Sequence, residues 1–152
     1  MWYNLVMKKR YDSCINRFKT YFQKKAKTLS LEAVFLFGSF AHGFEKTASD
    51  IDIAIVFSND KKRGDIFQVL TNLSHELSIL SSKNVDVIWI DKDFSKPMLF
   101  YNAIVHGVPL FISDKEKYIS LILRAIEEME DFSIFGREWQ IETAEKILEK
   151  IG

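Results

Sequence analysis

Residues 38–52, GSFAHGFEKTASDID, hold the groups with the clearest chemistry in the chain. Asp50 and Asp52 stand at i and i+2 inside an alternating run, DIDIAIVF (50–57). If that run is a strand, both carboxylates leave the same face, with Cα atoms roughly 6.6 Å apart. Two carboxylates so close repel, and one rises in pKa unless something neutralises them. A divalent cation does so, and hard carboxylate oxygens suit Mg²⁺, which takes its other ligands from water and phosphate. Asp86 interrupts another apolar run, NVDVIWI (84–90). Three carboxylates converge if the two strands are neighbours. Twelve residues before Asp50, the run AVFLFGS (33–39) closes in Gly38-Ser39. A strand ending this way can open a short helix with Ser39 as its cap. Free N–H groups at such a start attract phosphate, and glycine permits close approach. A phosphate cradle one loop from a carboxylate pair suits a nucleoside triphosphate with Mg²⁺.

The elements that must position these groups follow from periodicity. Met7, Tyr11, Cys14, Ile15, Phe18, Tyr21, Phe22 and Leu29 form one stripe of an N-terminal helix over 7–29. Ile66 to Leu80 form a second amphipathic helix, and 96–107 a third, with Pro97 in its first turn and Gly107 past its end. VPLFI (108–112) is a short strand, and Pro109 assigns it to a sheet edge. A helical appendage follows over 114–151, with a hinge expected at FSIFG (132–136). The fold class is therefore α/β (α+β), a small mixed sheet of three to five strands flanked by helices. One domain of 152 residues is expected, its core at about 30–112.

Composition narrows the function classes. The chain is 47% hydrophobic and 28% charged, as in a globular protein. Cys14 is the only cysteine, which excludes an intrachain disulfide or a cysteine-built metal site and suits a reducing cytoplasm. The N-terminal residues lack a signal-peptide pattern, and no apolar run reaches a membrane span. Thirteen Phe and three Trp make a surplus of aromatics, expected in part at a partner interface. Net charge is zero but uneven: residues 1–28 carry eight bases and one acid. A solvated helix face explains that segment better than direct nucleic-acid binding. His75 reads as an ordinary surface histidine, and His106 in a last helical turn complements the dipole when protonated.

Gly38-Ser39, ten residues, then Asp50-Ile51-Asp52 resembles the Gly-Ser-x10-Asp-x-Asp signature of the DNA polymerase beta-like nucleotidyltransferase superfamily. The surrounding LFGSFAHGFEKTASDIDIAIVF is similar to the minimal nucleotidyltransferase (MNT) group, small antitoxins that partner HEPN-domain RNase toxins. The resemblance covers about 33–112 and implies a palm-like fold with extra terminal helices. It implies AMP transfer from ATP to a tyrosine hydroxyl on the toxin, with release of pyrophosphate, in a type VII-like toxin–antitoxin pair. By it, Asp50, Asp52 and Asp86 are catalytic and hold two Mg²⁺ ions, while Gly38, Ser39, His42 and Ser49 bind nucleotide phosphates. One departure is visible: the group commonly has Ala-Arg-Gly where this chain has Ala41-His42-Gly43. His42 is positive there only when protonated. Two other readings stand beside it. A small-molecule, aminoglycoside-like nucleotidyltransferase usually carries a larger C-terminal domain than the tail here. A binding-only antitoxin has no need of three carboxylates.

Overall fold

The computed structural model describes residues 2–42, 50–58 and 63–151. Helix α1 (Trp2–Leu29) turns its apolar stripe inward, with Phe18 and Phe22 fully buried. It starts earlier than periodicity suggested and ends at Ser30, whose φ of 53° leaves helical space and whose N–H donates to the Lys27 carbonyl at 3.2 Å. Strand β1 (Leu31–Phe37) leads directly into the single turn α2 (Gly38–Ala41). Strand β2 (Ile51–Phe57), helix α3 (Arg63–Ser81) and strand β3 (Val85–Trp89) follow. Helix α4 (Pro97–Val105) has its proline in the first turn, where no N–H is lost to the helix. Strand β4 (Val108–Ile112) and helix α5 (Lys115–Ile151) complete the chain.

The sheet order is β3-β2-β1-β4, with β1 antiparallel to both β2 and β4, and β2 parallel to β3. Pro109 lies on the edge strand β4, where its missing N–H is tolerated. One sheet face carries Val34, Leu36, Ile51, Ile53 and Ile55 under α1 and α3. The other carries Ala33, Phe35 and Ala54 under α4 and Ala125 of α5. The layers are therefore helices, sheet, helices, a mixed α/β fold as expected. Gly107 lets α4 close on β1: a Cβ there would sit 2.1 Å from the Ala103 carbonyl oxygen and 2.8 Å from that of Leu36.

The C-terminal helix differs from expectation. No hinge breaks FSIFG; α5 runs unbroken for 37 residues, about 55 Å at 1.5 Å per residue. A lone Gly136 costs a helix only about 1 kcal/mol against alanine, and no proline is present to stop it. Asp114 caps the start, accepting from the Glu116 N–H at 3.1 Å. Arg124 fastens the first half, its guanidinium 5.0 Å above the Phe94 ring and bonded to the Lys92 carbonyl.

Candidate active site

The site lies at the end of the sheet where β1 stops and β2 and β3 start. The Ile51 N–H donates to the Asn84 carbonyl at 2.9 Å, which aligns the starts of the two parallel strands. The register that follows pairs Ile51 with Val85 and Asp52 with Asp86. Register partners in a parallel pair project from the same face, so Asp52 and Asp86 are neighbours on the face opposite Ile51 and Val85. Asp50 stands just before β2 rather than inside it, so the pleat does not fix its direction. It is exposed, as is Asp86, while Asp52 is half-buried.

Asp52 shows what this grouping costs. Its pKa is raised above the ordinary aspartate value, first by burial, then by the charge of Asp86, then by that of Asp50. None of the described buried residues is charged, so none of them offsets it from inside the fold. Hard carboxylate oxygens at a solvent-facing rim fit a divalent cation. Among the described residues no group of three or more His, Cys, Asp or Glu side chains is placed to hold a metal ion. Two neighbouring carboxylates, Asp52 and Asp86, suit Mg²⁺ in their chemistry, since that ion takes most of its ligands from waters and substrate oxygens.

Across β1 the register pairs Phe37 with Asp52, which brings the next residue, Gly38, against the carboxylate. Gly38 has φ +77°, and a Cβ there would lie 2.3 Å from Asp52 Oδ2. Both the left-handed backbone and the contact demand glycine. The turn also explains why Ser39 is not the helix cap. Because the chain bends already at Gly38, the N-cap position falls on Phe37, with no side-chain capping bond, and Ser39 lies in the first turn with its side chain exposed.

Two apolar residues hold this turn down. Phe40 and Ala41 are buried, with the Phe40 ring 5.4 Å from that of Tyr11 and the Lys83 ammonium 5.2 Å from its centroid. Tyr11 Oη donates to the Ala41 carbonyl at 2.8 Å, tying α2 to α1. Periodicity placed Tyr11 on the buried stripe but gave no sign of this bond. The only signal was a hydroxyl on an apolar face that needs a partner. His42 ends the turn, exposed, its N–H donating to the Ser39 carbonyl at 3.3 Å. Ser49 lies outside the described residues. The structure thus brings Asp52 against Gly38, with Asp86 in register beside Asp52, Asp50 near enough for its charge to act on Asp52, and Ser39 and His42 on the adjoining turn.

Comparison with known proteins concerns the fold that carries these residues. The family model for Polymerase beta, Nucleotidyltransferase matches residues 16–116, about two thirds of the chain. No curated protein matches by sequence. A chain of a toxin–antitoxin structure with AMP-PNP superposes with TM-score 0.64 at 19% identity, over 83% of this chain and 97% of its own. A chain of the tri-AMPylated Shewanella oneidensis HEPN toxin in complex with MNT antitoxin gives 0.60 at 17%, over 86% and 98%. The toxin–antitoxin MntA–HepT gives 0.59 at 17%, over 84% and 96%. At these identities the structural likeness is one of fold, and it is the family model, running from within α1 to the start of α5, that decides membership: the chain belongs to the polymerase beta-type nucleotidyltransferase family.

Proposed function

We propose that the chain is an antitoxin that transfers AMP from ATP to a tyrosine hydroxyl of a HEPN-domain toxin. The observation that carries the reading is the closure of Gly38 against the Asp52 carboxylate, with Asp86 in register beside it. That joins a turn suited to phosphate to acidic groups suited to a cation. The similarity to toxin–antitoxin chains, one with AMP-PNP and one with an AMPylated HEPN toxin, supports AMP as the group and a HEPN protein as acceptor.

In this mechanism the turn at Gly38 and Ser39 orients the β- and γ-phosphates of ATP. Asp50, Asp52 and Asp86 would hold Mg²⁺, which when bound offsets the charge of the triphosphate and of the carboxylates. The acceptor oxygen attacks the α-phosphorus, a new O–P bond forms, and the bond from that phosphorus to the β-bridging oxygen breaks. Pyrophosphate leaves with the electron pair. Asp86, the exposed carboxylate beside Asp52, takes the hydroxyl proton. His42 adds positive charge near the phosphates when protonated, in place of the arginine common in the MNT group. Ser49 would join the phosphate contacts.

The test is pyrophosphate release with ATP, Mg²⁺ and a HEPN protein encoded beside this chain's gene. The proposal expects release only when all three are present. Neutralisation of the toxin by Asp50→Asn/Asp52→Asn at the wild-type level, without release, would instead identify an antitoxin that acts by contact alone.

A further inference from the structure

Helix α5 outruns the body it packs on. It lies almost wholly beyond the family match, which ends at residue 116. After Ala125, the last of its described residues that is buried, Ile134, Ile141 and Leu148 are 60%, 49% and 67% exposed. They recur every seven residues, so they form one row about 21 Å long. A second row, Glu138, Glu142, Glu145 and Glu149, runs along the same helix at helical spacing. Residues 127–151 hold eight acids and three bases, a net −5.

The opposite features lie on the other side of the sheet. A groove of about 700 Å³ runs along α1 where it meets the end of α3, lined among others by Lys9, Asp12, Arg17, Tyr21, Lys24 and Leu80. Lys9, Arg17 and Lys24 fall on one side of α1 and span about 22 Å, the length of the apolar row on α5. Tyr21 and Leu80 give the groove apolar surface, and α1 as a whole carries eight bases against Asp12. None of the candidate catalytic residues lines it.

We infer that the distal half of α5 docks in the α1 groove of a second copy of this chain, forming a two-fold dimer. Three observations select this occupant. The charges are complementary, net −5 against +7 for residues 1–28. The rows match in length. The two surfaces cannot meet within one chain, because α1 and α5 cover opposite faces of the sheet. Pairing α5 with α5 instead would set the two glutamate rows together, which like charge disfavours. A two-fold arrangement uses each surface once per copy and closes without leaving either free.

The test is sedimentation of the full chain at about 100 µM, where a dimer with a Kd of about 1 µM or below is mostly assembled. The inference expects a dimer whose Kd rises at least about tenfold between low and high salt, since exposed ion pairs are screened. Lys9→Glu/Arg17→Glu/Lys24→Glu should be monomeric, and so should Glu138→Lys/Glu142→Lys/Glu149→Lys. All six positions are exposed, and an Ile141→Ser variant gives the same readout without changing charge. Mixing the two charge-reversed proteins in equal amounts should restore a dimer, because both contacts are then complementary again. A wild-type chain that stays monomeric overturns the inference, as does one that associates only when a HEPN protein is added. A dimer untouched by either reversal, or a mixture that remains monomeric, overturns it equally.

Discussion

Gly38→Ala tests how tightly the turn closes on the carboxylate. Alanine at φ +77° adopts a left-handed backbone at a cost of about 1–2 kcal/mol. Its Cβ would also lie 2.3 Å from Asp52 Oδ2, against at least 3.4 Å for an ordinary contact, a shortfall of 3.4 − 2.3 = 1.1 Å. Either the turn or the carboxylate must move by that amount. A misplacement of about 1 Å among reacting groups costs on the order of 100-fold in rate. The backbone term alone lowers Tm by about 2–8 °C, at roughly 2–4 °C per kcal/mol for a chain of this size. AMP transfer should therefore fall at least about 100-fold, a larger effect than the loss of stability explains. The clash can be separated from the backbone strain by a double-mutant cycle read by thermal unfolding. In an Asp52→Ala background the carboxylate is gone, and the nearest remaining atom of that side chain is Cβ at 3.5 Å. Gly38→Ala should then cost only the backbone term. Wild-type activity and Tm in Gly38→Ala, or equal costs in both backgrounds, would refute the close packing of this turn on Asp52.

Further expectations follow from the same site. Burial, then Asp86 and Asp50, raise the folded pKa of Asp52, so the folded chain holds that proton more tightly than the unfolded chain, where Asp titrates near about 3.9. Stability without metal should therefore drop as pH rises from about 4 through the raised value and stay lower above it. Denaturant titrations of Asp52→Asn should show that slope flattened, with the variant at least as stable as wild type at neutral pH and equal to it at low pH. Mg²⁺ should stabilise the wild type by about 1.4 kcal/mol at ten times its Kd and leave Asp50→Asn/Asp52→Asn unmoved in thermal unfolding. Tyr11→Phe loses the bond to the Ala41 carbonyl, and calorimetry should find about 1 kcal/mol less stability, with the larger effect on KM for ATP because α2 is the element released.

Much of this site could be read from residue order alone, and the reasons are specific. β4 is bounded by Gly107 and Ser113, and its five residues are apolar or proline, so its limits and its edge position were both legible. The Asp86 strand lies beside the Asp52 strand because a helix of nineteen residues, α3, connects them as a parallel crossover. Three features were not legible. Register is a tertiary property, so no sequence pattern showed that Asp52 faces Asp86 rather than a neighbour two residues away. The positive φ of Gly38 and its closeness to Asp52 belong to the folded turn, which starts α2 ahead of Ser39. Around FSIFG, helix continuity outweighed the weak local signal of one glycine.

The central claim is that Asp50 and Asp52 drive AMP transfer to a HEPN partner. Intact mass spectrometry of that partner, produced together with the wild-type chain or with Asp50→Asn/Asp52→Asn, tests it most directly. The account predicts a gain of one or more AMP units with the wild type and none with the double variant. An unmodified partner in both cases, bound and inactive in complex with either chain, would contradict it.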